Sequence, residues 1–128
     1  MKRVTGIGGI FFKSRDPKAL AEWYRVHLGI PIEAWGGAVF RWASPDNPAG
    51  PGTTVWNPFK ADTDYFAPGS ASFMINYRVD DLHALLAALR AEGCTVVDKI
   101  DESEFGKFGW VIDHEGNKLE LWQPPEGQ

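Results

Sequence analysis

A chain of 128 residues with 44% hydrophobic and 23% charged side chains is long enough for one compact core and too short for two independent ones. Its formal net charge of −4, without a cluster of lysine and arginine, argues against nucleic acid as a partner, because phosphate contacts dominate that affinity. The single cysteine, Cys94, cannot form an intramolecular disulfide; no run approaches the roughly 20 apolar residues of a membrane span, and the opening MKRVTGIGG lacks the apolar stretch of a signal peptide. These features predict a cytoplasmic protein with no membrane partner.

The first expected element is a strand at 7–14, IGGIFFKS. Asp16 then caps a helix whose first position is Pro17, where the missing N–H costs nothing. Leu20, Trp23, Tyr24, His27 and Leu28 recur at helical spacing, and Gly29 ends the run. Strands are expected next at IPIEAW (30–35), AVFRWA (38–43) and TTVWNP (53–58), with GG and SPDNPAGPG as the turns between them. After a proline- and aspartate-rich stretch at 57–71 the order returns. SFMINYRV (72–79) is a strand and Asp80 or Asp81 a cap. Leu82, Leu85, Leu86 and Leu89 form the helical stripe, stopped by Gly93. CTVVDKI, FGWVID and KLELWQP are strands, the last two joined by the turn HEGN.

The two halves repeat one another. TVWNP at 54–58 matches ELWQP at 120–124, and Ile10 matches Ile75, at offsets of 66 and 65 residues. The fold class expected is therefore α+β, built from two tandem βαβββ modules that pack together because each alone is too small for a core. One domain spans 1–128, with module one at about 5–58, a linker at about 59–71 and module two at about 72–125. Helices with a single apolar stripe cover one sheet face, which leaves the other free to curve around a ligand or a second subunit.

Three segments carry a resemblance to a known family: FFKSRDPKALAEWYRVHLGI, its counterpart YRVDDLHALLAALRAEGC, and the closing hairpin IDHEGNKLELWQP. In that order and at that spacing the chain resembles the vicinal oxygen chelate superfamily, which includes glyoxalase I, bleomycin resistance proteins and extradiol dioxygenases. The resemblance implies a curved, cup-like mixed sheet with the helices on its outer face, and a homodimer. It also implies a divalent metal held by the first and last strands of the modules. Counted from Asp16 and the repeat offset, those ligand positions fall on Gly9, Thr54, Met74 and Glu120. Glycine offers no donor, a thioether is a poor one for a hard cation, and one carboxylate does not hold a divalent ion against water. His27, His83 and His114 lie on separate elements. No cofactor is expected, although a divalent metal stays open as an alternative.

Period two along the strands sorts the cup. Gly9, Phe11 and Lys13 face it, as do Met74, Asn76 and Arg78. Thr54 shares a face with Trp56, and Lys118 with Glu120 and Trp122, joined by Trp110 and Ile112. Either Arg41 or Trp42 points inward, since a one-residue slip reverses the choice. The candidate ligand-binding residues are Phe11, Arg41, Trp42, Trp56, Met74, Asn76, Arg78, Trp110 and Trp122, unless these side chains simply fill a core or a dimer seam. Glu120, an acid on a buried strand, is the candidate catalytic residue. It is a proton-transfer group or a ligand anchor neutralised by Arg41, Arg78 or Lys118, or else a salt bridge holding two strands. Residues 98–109 form a lid bearing Phe105 and Phe108, or a solvated acidic loop.

Three functions follow. The first is a metal-independent small-molecule-binding protein, similar in outline to bleomycin resistance proteins, that sequesters a hydrophobic or planar compound. The second is a glyoxalase-type lyase or isomerase using Glu120 as acid/base, and the third a structural or partner-binding dimer.

Overall fold

The computed structural model describes residues 3–43 and 48–128, so part of the turn expected at SPDNPAGPG lies outside the described residues. The elements run β1 (Val4–Ser14), α1 (Pro17–Leu28), β2 (Ala38–Arg41), β3 (Thr53–Lys60), β4 (Phe73–Val79), α2 (Leu82–Ala91), β5 (Thr95–Ser103), β6 (Gly106–Ile112) and β7 (Lys118–Gln123). Among the described residues, seven strands form one mixed, curved and unclosed sheet in the order β2-β3-β1-β4-β7-β6-β5.

The repeat is visible in this order. β3 lies parallel to β1 as β7 lies parallel to β4, and the two modules meet edge to edge where β1 runs antiparallel to β4. The junction pairs Gly9 with Asn76 and Phe11 with Met74. Because Gly9 and Met74 are equivalent by the sequence repeat, these two rows exchange under an internal two-fold relation. The modules therefore join within one chain.

Each helix starts as its sequence dictates. The Asp16 carboxylate accepts the Ala19 N–H at 3.1 Å with Pro17 in the first turn, and the Asp81 carboxylate accepts the Ala84 N–H at 3.1 Å. α2 lays Leu82, Leu85 and Leu86 on the outer sheet face, where they form a core with Val79, Val111 and Leu121. α1 is covered less. Its buried stripe runs through Leu20, Ala21 and Tyr24, with Ala21 alone fully buried, while Trp23 and Leu28 of the expected stripe are 51% and 62% exposed. The small Ala21 side chain lets the helix sit on the sheet, and the bulkier Trp23 is turned outward against His27, 4.8 Å away.

IPIEAW is not a strand. Pro31 removes a ladder donor, and the segment satisfies itself locally: Ile32 N–H donates to Ile30 O at 2.9 Å, Glu33 N–H to Gly37 O at 2.7 Å, and Gly36 N–H to Glu33 O at 2.9 Å. Module one thus lacks the strand that would match β5. Residues 98–109 are likewise a β5–β6 hairpin turning at Glu104–Phe105, not a loop.

Candidate ligand-binding site

The concave face is built in rows. Pairing places Val55, Gly9, Asn76, Glu120 and Trp110 side by side across β3, β1, β4, β7 and β6, and places Asn57, Phe11 and Met74 in the next row. The parity of β3 is therefore opposite to the one expected: Thr53, Val55 and Asn57 face the cup. Thr54 instead donates its hydroxyl to Ile7 O at 2.6 Å and accepts Trp42 Nε1–H at 2.8 Å. Trp56 lies on the helix face, with ring centroids 5.1 Å from Tyr24 and 5.2 Å from Phe12. Under the two-fold relation Asn57, not Thr54, is the counterpart of Glu120.

One half of this face is filled. Phe66, from the connection between the modules, packs with Phe11, Met74 and Trp110 in a second core in which Met74 is wholly buried and Phe66 is 1% exposed. Tyr65, beside it, donates its hydroxyl to Glu120 Oε2. Trp110 Nε1–H donates to the same oxygen at 2.9 Å and Asn76 Nδ2–H to Oε1 at 2.6 Å. Glu120 is 1% exposed, so burial pushes its carboxyl above the ordinary value while these three hydrogen bonds and the Lys118 charge oppose the shift. Burial and the adjoining Glu120 charge push the Tyr65 phenol well above its usual range, which keeps it a protonated donor. Lys118 Nζ donates to Tyr65 O at 2.7 Å and lies 5.3 Å and 5.4 Å from the centres of the Tyr65 and Trp110 rings; burial lowers its own pKa. None of the charged partners expected for Glu120 forms a salt bridge with it. Neutral donors take that place.

The other half is open, as a cavity of about 520 Å³. Its walls are aromatic: Phe11, Trp35, Phe105, Phe108 and Trp122, the last two stacked with their planes 9° apart and centroids 6.0 Å apart. Its polar groups are Arg41, Thr53, Asn57, Asn76 and Gln128. The facing left open on β2 is resolved in favour of Arg41, which pairs opposite Thr53 and lines the cavity. Trp42, past the strand end, lies 4.9 Å from the Arg78 guanidinium, whose other ring neighbour is Trp122 at 5.2 Å. Arg78 closes one end of the cup this way, donating to the main-chain oxygens of Thr53 at 3.5 Å and of Gln128. Burial lowers its pKa.

Of the expected site residues, Phe11, Arg41, Asn76 and Trp122 thus meet at the cavity. Met74, Trp110 and Glu120 belong to the filled half, Arg78 and Trp42 to the closed end, and Trp56 to the helix face. Sequence reasoning missed Trp35, which an expected strand concealed, and Tyr65, which sits in the connection between modules. Thr53, Val55 and Asn57 were missed through the one-residue parity of β3.

The donor set does not fit a divalent metal. A Cβ at Gly9 would lie 2.8 Å from the Phe11 ring, so the ring occupies the space a histidine there would need. Met74 is packed into the core, Asn57 is neutral, and both oxygens of Glu120 are taken by protein donors. Among the described residues no three His, Cys, Asp or Glu side chains group as metal ligands. His27 is exposed beside Trp23, His83 is 2.8 Å from Glu102 on the surface, and His114 lies in the β6–β7 turn.

Comparison with known proteins agrees with this geometry at the level of fold. A methylmalonyl-CoA epimerase solved with methylmalonyl-CoA and NH4+ superposes with a TM-score of 0.72 at 17% identity, over 98% of each chain. The methylmalonyl-CoA epimerase of Mycobacterium tuberculosis superposes at 0.65 with 20% identity, over 98% of this chain and 91% of that one. A Legionella pneumophila protein named as an NAD-dependent benzaldehyde dehydrogenase superposes at 0.60 with 13% identity, over 91% and 98%. At these identities the likeness is one of fold, and the differing names accord with a scaffold that carries several activities. No curated protein matches the sequence. The family model for the glyoxalase-like domain matches residues 9–122, nearly the whole chain. The chain belongs to the glyoxalase-like domain family, and with it to the vicinal oxygen chelate superfamily.

Proposed function

We propose that this protein binds a planar or hydrophobic small molecule in its aromatic cup and does so without a metal ion. The observation that carries the reading is the division of the concave face. Three of the four positions that would hold a metal are closed by the Phe11 ring, Met74 and the saturated Glu120, and the fourth holds the neutral Asn57, while the neighbouring space stays open between Trp35, Phe108 and Trp122. Its size and mixture of aromatic walls with a few polar groups match small-molecule sites in general. The protein is taken as a cytoplasmic homodimer, and the exposed Trp23, Val26 and Leu28 of α1 offer an apolar face for a second copy. Titration with aromatic probes such as naphthalene and indole, followed by ligand-observed NMR, tests the reading. Saturable binding is expected, weakened at least tenfold when Trp35 and Phe108 are both replaced by alanine, and a linear response for every probe contradicts it.

A second reading, an isomerase or lyase of the glyoxalase type, is favoured by the raised carboxyl of Glu120 and by the epimerase folds above. It requires Glu120 to reach a substrate, whereas that residue lies in the filled half, outside the cavity lining. Glu120→Gln separates the two: an isomerase loses turnover, and a binding protein retains its capacity to bind.

A further inference from the structure

Asn76 is 2% exposed, and its two amide atoms face different neighbours. Nδ2 is committed to Glu120, which with its carboxylate ionised can only accept, so the amide is held with its oxygen on the other side. That oxygen, Oδ1, has no hydrogen-bond partner. It is enclosed behind the cavity wall beside Gly8 and Trp122, two residues that line the cavity, and a Cβ on residue 8 would come within 2.2 Å of it and within 2.9 Å of the Trp122 ring edge. Glycine at position 8 therefore leaves room for an acceptor that neither protein nor solvent satisfies. Such a group is unfavourable in a core and useful in a binding site, because a ligand that supplies the missing donor gains what the empty site lacks.

We propose that Asn76 Oδ1 is the polar recognition atom of the cup, that Glu120 fixes it as an acceptor, and that the ligand is a planar aromatic compound carrying an N–H or O–H donor. This rests on the reading of the cup as a ligand site and names its substrate class. The ring lies among Trp35, Phe108 and Trp122. The donor reaches Oδ1 by displacing the edge of the Trp122 indole, so binding perturbs that tryptophan. Glu120 acts through Asn76 as a positioning residue, and its role is one of polarity. Replaced by glutamine, residue 120 keeps its carbonyl toward Trp110, whose indole N–H can only donate, and turns its own NH2 toward Asn76. Asn76 then has to rotate its amide and present N–H, not oxygen, to the cavity.

The test compares indole, an N–H donor, with 1-methylindole, its blocked form, and with quinoline, a ring acceptor, by ligand-observed NMR and titration calorimetry at neutral to mildly alkaline pH. For the wild-type protein, indole is expected to bind at least tenfold more tightly than either of the others. For Glu120→Gln the order of indole and quinoline is expected to reverse, an outcome that mere loosening of the fold does not produce. Equal affinity for indole and 1-methylindole in the wild type overturns the inference and leaves the cup as a ligand site. Absence of binding by all three, and by naphthalene, overturns the cup reading itself. If Glu120→Gln does not fold, the wild-type comparison of indole with 1-methylindole decides alone.

Discussion

Glu120 shows how far a single residue can be read from sequence. An acid alternating with Leu119 and Leu121 on a strand is legible as a buried carboxylate in need of partners. Its partners are not legible, because Tyr65, Asn76 and Trp110 lie 55, 44 and 10 residues away and only the sheet register brings them together. The charged candidates failed for a physical reason: Arg78 is taken by two indole rings and main-chain oxygens, and Lys118 by the Tyr65 carbonyl. The raised carboxyl also fixes a pH dependence. Its folded-state pKa lies above the ordinary glutamate value of 4.5, so the folded form binds the proton more tightly than the unfolded chain. The stability this gives is present below that value and is lost as pH rises through the folded-state pKa. Acids outside the core such as Glu22 and Asp113, whose pKa values are lowered by hydrogen bonds to Arg25 and to the Asn117 backbone, act in the opposite sense. Chemical denaturation of the wild type and Glu120→Gln across the acid-to-neutral range isolates the effect. The stability of the wild type relative to the variant should fall with rising pH, and a difference that is flat or rises contradicts the assignment.

At the scale of elements, capping and periodicity were the most legible signals and strand number the least. α2 reads directly from Asp81 and its leucines, because one face of the helix meets one face of the sheet. α1 carries an equally good cap and a false stripe: Trp23 and Leu28 have helical spacing but hang outside the sheet, so spacing marked a helix without marking its buried side. IPIEAW failed through its proline and the tight turn at Glu33–Gly37, and that failure hid Trp35, which forms part of the cavity wall. The two caps should therefore behave differently. Asp81→Ala removes the bond to Ala84 N–H from a helix that carries a core, and about 1 kcal/mol of global stability is expected to go with it in urea unfolding. Asp16→Ala acts on a helix that buries only Ala21, so its effect should appear chiefly as faster amide exchange within α1. Equal loss of global stability in both variants counts against this division.

For the whole molecule, the repeat in the sequence predicted the architecture, and the departures from repetition made the site. Two modules joined through β1 and β4 would present two equivalent halves of a cup. In this chain Phe66 and Tyr65 fold over one half and seal it with Met74 and Glu120, while the loss of a strand before β2 leaves the other half walled by Trp35. The missing metal ligand at Gly9 was legible as an absence. Its packing reason, the Phe11 ring above it, was legible only in three dimensions. Because three of the four expected metal positions are closed by Phe11, Met74 and Glu120 and the fourth is the neutral Asn57, binding and metal are expected to be independent. The measurement that tests this most directly is the affinity of the indole probe before and after exhaustive chelation, and again after addition of Zn²⁺, Ni²⁺, Fe²⁺ or Mn²⁺. The account predicts one affinity throughout. Binding that is lost on chelation and restored by any one of these ions would return the cup to metal-dependent chemistry and contradict it.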